Sequence, residues 1–121
     1  KKEGMAHFLK IIGGLSGASA VALGAIGAHG LSRKTEKQRD TWKTASHYQL
    51  LHSAVLLSIP ALTQNPRSMI ICGGLFTFGI LAFSGGCYMY VLTEEPKYQK
   101  IAPYGGTSLI LGWLGCAVLL L

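Results

Sequence analysis

GGLSGASAVALGAIGAHGL, Gly13 to Leu31, is the stretch that decides the fold. It holds no Lys, Arg, Asp or Glu, and nearly every position is Gly, Ala, Ser or an aliphatic side chain. In water such a segment makes a poor helix, because glycine weakens the helix interior. In a bilayer the backbone must satisfy its own hydrogen bonds, and a helix is the simplest way to do so. The small residues recur every four positions. Ser16, Ala20, Gly24 and Ala28 form one ridge, Gly14, Ala18 and Ala22 a second, and Gly13 and Gly17 a GxxxG pair, with Gly27 further along. Lipid tails are as apolar as the helices, so burial of apolar area does not drive helices together there. Close backbone approach and dispersion do, and small-residue ridges mark the contact faces.

Three further uncharged blocks follow: Thr44–Pro66, Ser68–Thr93 and Ile101–Leu121. Each is about as long as the roughly 20 residues a spanning helix requires. Only 13% of the 121 residues are charged and half are hydrophobic, against about 25% charged in ordinary soluble domains. The net charge is +6. The bases sit in the connections rather than on an aromatic-interleaved face, so a lipid-headgroup environment fits them better than nucleic acid. Seven of the 11 Lys and Arg lie in the first and third connections, which leans those loops toward the cytoplasm or matrix.

The second block is the polar one. His47, Tyr48, Gln49, His52, Ser53 and Ser58 fall within it, and on hydropathy it is the weakest of the spans. Tyr48 and His52 share a face, as do Gln49 and Ser53, because positions four apart are neighbours on a helix. Polar groups within a membrane turn inward and mark candidate functional positions. We take His29, Tyr48, Gln49, His52 and Ser53 as the candidate polar cluster. Gly13, Gly17, Ala20, Gly24, Gly27, Ser108 and Gly112 are the candidate helix-packing positions. Pro60 and the Gln64-Asn65-Pro66-Arg67 turn close the second block. Ser84-Gly85-Gly86 offers a bend or a close approach in the third. Trp42, Tyr88 and Tyr90 suit interfacial anchors, and Pro103 suits a first helical turn.

Several chemistries find no support. His47 and His52 are five positions apart, about 140° around a helix, so they do not form a same-face metal-binding pair. No metal or other cofactor is expected. Cys72, Cys87 and Cys116 lack paired spacing and read as small apolar residues. Pro103-Tyr104-Gly105-Gly106-Thr107 lacks the Lys-Ser/Thr of a phosphate loop and reads as a tight start to the last helix. No buried carboxylate is available to orient a nucleophile and base, so the chain is not expected to be an enzyme. A basic lead-in before an apolar run also fits a signal peptide, with Ala18-Ser19-Ala20 as a cleavage site. That reading would discard the best packing surface.

Four motifs occur in order. Ala22-Leu23-Gly24-Ala25-Ile26-Gly27-Ala28-His29-Gly30-Leu31 comes first. Trp42 then leads through Ala45 into Tyr48-Gln49-Leu50-Leu51-His52-Ser53, and Phe83-Ser84-Gly85 leads into Tyr88. Ile101-Ala102-Pro103-Tyr104-Gly105-Gly106 leads into Leu111-Gly112-Trp113-Leu114. Together they resemble a family of small membrane proteins that includes transmembrane protein 256 of animals and the YwdK-like proteins of bacteria, whose signature reads ALGAFGAHGL. The likeness covers roughly residues 10–121 and is nearest to the animal branch. It implies a multi-span helical protein, placed in animals at the mitochondrial inner membrane. It supplies no catalytic residues and raises His29 and His52 as positions to test.

The expectation is a single-domain, all-α, four-helix transmembrane bundle of up-and-down topology. Its helices fall at about 7–28, 44–62, 68–92 and 102–121. The expected role is an accessory or scaffold subunit, in contact with lipid and with a larger mitochondrial inner-membrane assembly of the respiratory chain. The alternatives are a small channel or carrier built on the polar cluster, and a lipid- or quinone-binding module.

Overall fold

The computed structural model describes residues 2–121 and is helical nearly throughout. Four rods run in sequence. They are α1 (Lys2–Gly30), α2 (Glu36–Leu62), α3 (Pro66–Thr93) and α4 (Pro96–Leu119). Within α3 the stretch Ile80–Ser84 is a π-helical turn between two α-helical halves. By length and composition α1, α3 and α4 are each apolar enough to cross a membrane. α2 does not meet that description: its uncharged stretch is long enough, but His47, Tyr48, Gln49, His52 and three serines make it too polar.

The helices start earlier than the uncharged blocks suggest. The stretch 32–43, expected to be a loop, is mostly helix. Thr35 accepts from the Gln38 amide while the Gln38 side chain accepts from the Thr35 amide, a capping box that sets the start of α2 at Glu36. Likewise the connection before α4 shrinks to Glu94 and Glu95, since Pro96 occupies the first turn. Pro103 therefore lies inside α4 rather than opening it. Asn65 caps α3 by accepting from the Arg67 amide at 2.9 Å.

Short connections make consecutive helices antiparallel, and each packs chiefly on its sequence neighbours. α1 lies along α2, α2 along α3, and α3 along α4, with a smaller contact between α1 and α3 near Leu9 and Gly73. The α4 backbone approaches neither α1 nor α2. The bundle is thus an open meander rather than a closed square. Its apolar core, around Leu9, Leu56, Ile59, Met69, Cys72, Phe76 and Leu109, gathers side chains from all four helices about α3.

The two outer seams are built differently. Along α1 and α2, residue numbers in contact sum to about 70: Gly13 meets Leu57 and Ser53, Gly17 meets Ser53, Gly24 meets Ser46, and Gly27 meets Trp42. A Cβ at Gly13 would lie 3.0 Å from the Leu57 amide nitrogen. Ala20 is also buried. On the other seam, a Cβ at Gly105 would overlap the Phe83 backbone, one at Gly86 would lie 3.0 Å from the Tyr98 carbonyl, and one at Gly112 would press 2.8 Å from the Phe76 ring. The Ser108 hydroxyl donates to the Leu75 carbonyl at 2.7 Å.

Candidate functional site

The polar side chains of α2 and their partners form a continuous buried seam. Its first part joins three helices at Gln49, which is buried. The Gln49 amide donates to the Ser16 carbonyl on α1 at 2.9 Å, and its oxygen accepts from the Tyr88 hydroxyl on α3 at 2.7 Å. Ser53 lies one turn on. Its hydroxyl donates to the Gln49 carbonyl at 2.5 Å and meets the Ser16 hydroxyl at 2.6 Å. A hydroxyl has one proton, so Ser16 supplies the proton for the second contact. Nearer the charged end of α2, the Trp42 indole donates to the Leu23 carbonyl at 2.7 Å and its ring packs 4.7 Å from Tyr88. The Ser84 hydroxyl, in the π turn, donates to the Ala45 carbonyl at 2.7 Å.

The second part is centred on His52, which is 2% exposed. Its Nδ1 lies 2.6 Å from the Tyr48 carbonyl, and its Nε2 accepts from the Trp113 indole at 3.0 Å. An indole N–H only donates. Nε2 is therefore the unprotonated nitrogen, and the ring is the neutral Nδ1–H tautomer donating to Tyr48. A second proton on Nε2 would face the indole N–H and break that bond. Phe76 packs tilted against the imidazole at 5.7 Å and Trp113 packs edge-on to Phe76 at 5.6 Å. Trp113 thus reaches across a cleft that the α2 and α4 backbones leave open. Tyr48, Leu51, Phe83 and Thr107 line it with this pair, around a volume of about 620 Å³.

His29 stands apart. It is exposed at the end of α1, level with about position 41 of α2 by the contact register. That is some 16 Å along the helix from His52, at ~1.5 Å per residue. The structure brings Gln49, His52 and Ser53 into the seam and leaves Tyr48 at its rim, 40% exposed. Four partners were not legible as such: Ser16, Ser84, Tyr88 and Trp113. Tyr88 and Trp42, read as interfacial anchors, point inward. Their signal was present in the spacing, since Tyr88 follows Ser84 by one turn and both face α2. Among the described residues, no three of His, Cys, Asp and Glu come together as a metal would require, and no buried side-chain polar atom lacks a partner.

Residues 23–106, which include most of this seam, match the family model described as a protein of unknown function, DUF423. The UPF0382 membrane protein SERP0230 of Staphylococcus epidermidis is 40% identical over 107 residues, covering 86% of this chain and 87% of that one. The chain belongs to the DUF423/UPF0382 family of membrane proteins. Other members are similar along the same length. The UPF0382 membrane protein YwdK of Bacillus subtilis is 33% identical over 108 residues, covering 86% of this chain and 88% of its own. A UPF0382 membrane protein of Haemophilus influenzae is 36% identical over 106 residues, covering 85% of each. No solved structure matches the chain. Family membership and the three apolar rods together make it an integral membrane protein.

Proposed function

We propose that this family member is a non-enzymatic accessory subunit that packs through the outer side of α1 against a larger membrane-protein assembly. The observation that carries the reading is the asymmetry of α1. Its inner ridge is used against α2, but only 11% of its spanning window is buried, against 44% for α3. Gly14, Ala18 and Ala22 form a second small-residue ridge on the uncovered side, and a Cβ at Gly14 would meet nothing. Such a ridge is the surface on which another transmembrane helix can approach closely. The finer assignment, to the mitochondrial inner membrane and a respiratory-chain assembly, is part of the proposal. It rests on the likeness of the four sequence motifs to the animal branch, while the relatives compared above are bacterial.

The seam supports a holding role for the polar cluster, because its groups bond to one another and to backbone carbonyls. The test is native-gel profiling in digitonin of the wild type and of an Ala18→Leu/Ala22→Leu variant. The expected result is that the wild type migrates with a large complex and the variant runs free with its helicity intact. A wild type that runs alone would overturn the reading. Attention would then pass to the channel or carrier alternative, whose mark is liposome flux lost in His52→Ala.

A further inference from the structure

A second cleft opens between α1 and α2 at their charged end, independent of the accessory reading. It has a volume of about 570 Å³, within the ~300–1,000 Å³ of small-molecule sites. Arg39, Lys43 and His47 stand on one wall, four residues apart and so on one face of α2. The opposite wall is Gly24, Gly27 and Ala28 of α1, whose lack of side chains makes the space. Trp42 closes the floor, locked to Leu23. Below the cations the lining turns apolar, through Val21 and Leu50.

The charges are available. One guanidinium nitrogen of Arg39 bonds the Lys34 carbonyl, leaving further donors on its fork. Among the described residues, neither Arg39 nor Lys43 is in an ion pair, and with Asp40 also lining the cleft the three side chains carry a net positive charge. The cleft also straddles the boundary of the charged block. Arg39 to Leu50 covers ~16 Å along the helix at ~1.5 Å per residue, from the polar interface into the hydrocarbon.

We propose that this cleft is a binding site for one anionic phospholipid. The phosphate sits between Arg39 and Lys43, with His47 beside it, and one acyl chain lies in the channel of Gly24, Val21 and Leu50. Cations with an apolar groove beneath them recognise a phosphate attached to a chain, whereas a free anion would have no use for the lower half. Basic clusters at a membrane surface already favour anionic lipid, and the built walls here convert a diffuse attraction into a site.

The experiment is native mass spectrometry of the full chain released from nanodiscs of phosphatidylglycerol and phosphatidylcholine at equal content. The wild type is expected to retain phosphatidylglycerol in a one-to-one adduct. Arg39→Ala/Lys43→Ala should lower its retention about thirtyfold. Val21→Trp, which fills the chain channel, leaves the charges and lies off the packing face, should also lose the adduct and serves if the double variant does not fold. Lys97→Ala/Lys100→Ala, which removes as much charge elsewhere, should keep it. Equal retention of phosphatidylcholine would overturn the proposal. So would equal loss in the Lys97/Lys100 variant, or displacement by millimolar inorganic phosphate.

Discussion

The α1–α2 seam, which pairs an apolar helix with the polar one, and the α3–α4 seam, which pairs two apolar helices, are joined by different means. α1 offers small residues and two carbonyls, and α2 answers with long polar side chains, Trp42 to Leu23 and Gln49 to Ser16, while the Ser16 hydroxyl donates to Ser53. α3 and α4 instead bring backbone to backbone. Gly105 lies on the π turn at Phe83, and Gly86 lies under Tyr98. Side-chain hydrogen bonds are denser in the first, stitched seam; the second, fitted seam is closer in backbone fit, with Ser108 and Ser68 adding one bond each. Neither uses an embedded charge, and neither depends on excluding water, which is already absent from the hydrocarbon. The stitched seam should lose its strength one bond at a time, while the fitted seam should fail at a single methyl group.

The largest effect is expected at the fitted seam. Gly105→Ala places a Cβ into the Phe83 backbone, and with main chain on both sides neither can yield cheaply. Destabilisation of about 3 kcal/mol, at the top of the usual overpacking range, should show in detergent-titrated unfolding. A cost under half of that would erase the contrast between the seams. Next comes Gln49→Leu, which keeps the volume, removes bonds to α1 and α3, and leaves the Tyr88 hydroxyl without an acceptor. We expect a loss of about 2 kcal/mol in the same assay. Trp42→Phe keeps an aromatic ring against Tyr88, removes the bond to the Leu23 carbonyl and leaves part of the buried indole volume unfilled, for a loss of about 1.5 kcal/mol. Trp113→Phe should alter stability less but change the ¹⁵N spectrum of His52, because Nε2 loses the donor that fixes the tautomer.

The smallest effect lies outside the membrane, where Glu94 links the two seams. The Gln38 amide, donating at 2.8 Å, and then Lys34 at 3.4 Å hold this carboxyl below its ordinary range. A carboxyl depressed in the folded state contributes stability above its unfolded value, and that stability is lost as pH falls through the folded value. Glu94→Gln should therefore flatten a shallow acid-side decline in thermal midpoint. A steeper decline in the variant would reverse the assignment.

How much of this was legible in the residues follows from what each seam uses. The spacing of Gly13, Gly17, Ala20, Gly24 and Gly27 revealed a contact face, because small side chains at four-residue intervals have few other uses in lipid. Thr35-Glu36-Lys37-Gln38 also spelled the start of α2, but the charges after it suggested a loop and hid the capping box. That in turn put Trp42 at an interface instead of inside the seam. His29 was drawn into the cluster by its motif, although helix register places it at the far end. The π turn leaves no periodicity to read: Ser84-Gly85-Gly86 hinted at close approach, and only the packing of Gly105 on Phe83 shows why the turn widens. Trp113 was beyond reach, since nothing in sequence pairs a residue on the last helix with His52, 61 positions earlier.

The order of contacts along the chain also has a consequence for how the protein is made. The main partner of α1 is α2, and that of α4 is α3, so each hairpin carries its own seam. During synthesis, which proceeds from the N-terminus, the first hairpin can close while the second is still in the ribosome. The second then has only to dock α3 onto a finished surface, with Tyr88 and Ser84 finding acceptors already held in place on α2. The last act is local: Trp113, near the end of the chain, reaches His52 once α4 is inserted. A ribosome-stalled chain ending before α3 should therefore already form the Trp42–Leu23 bond, whereas His52 waits for the final helix.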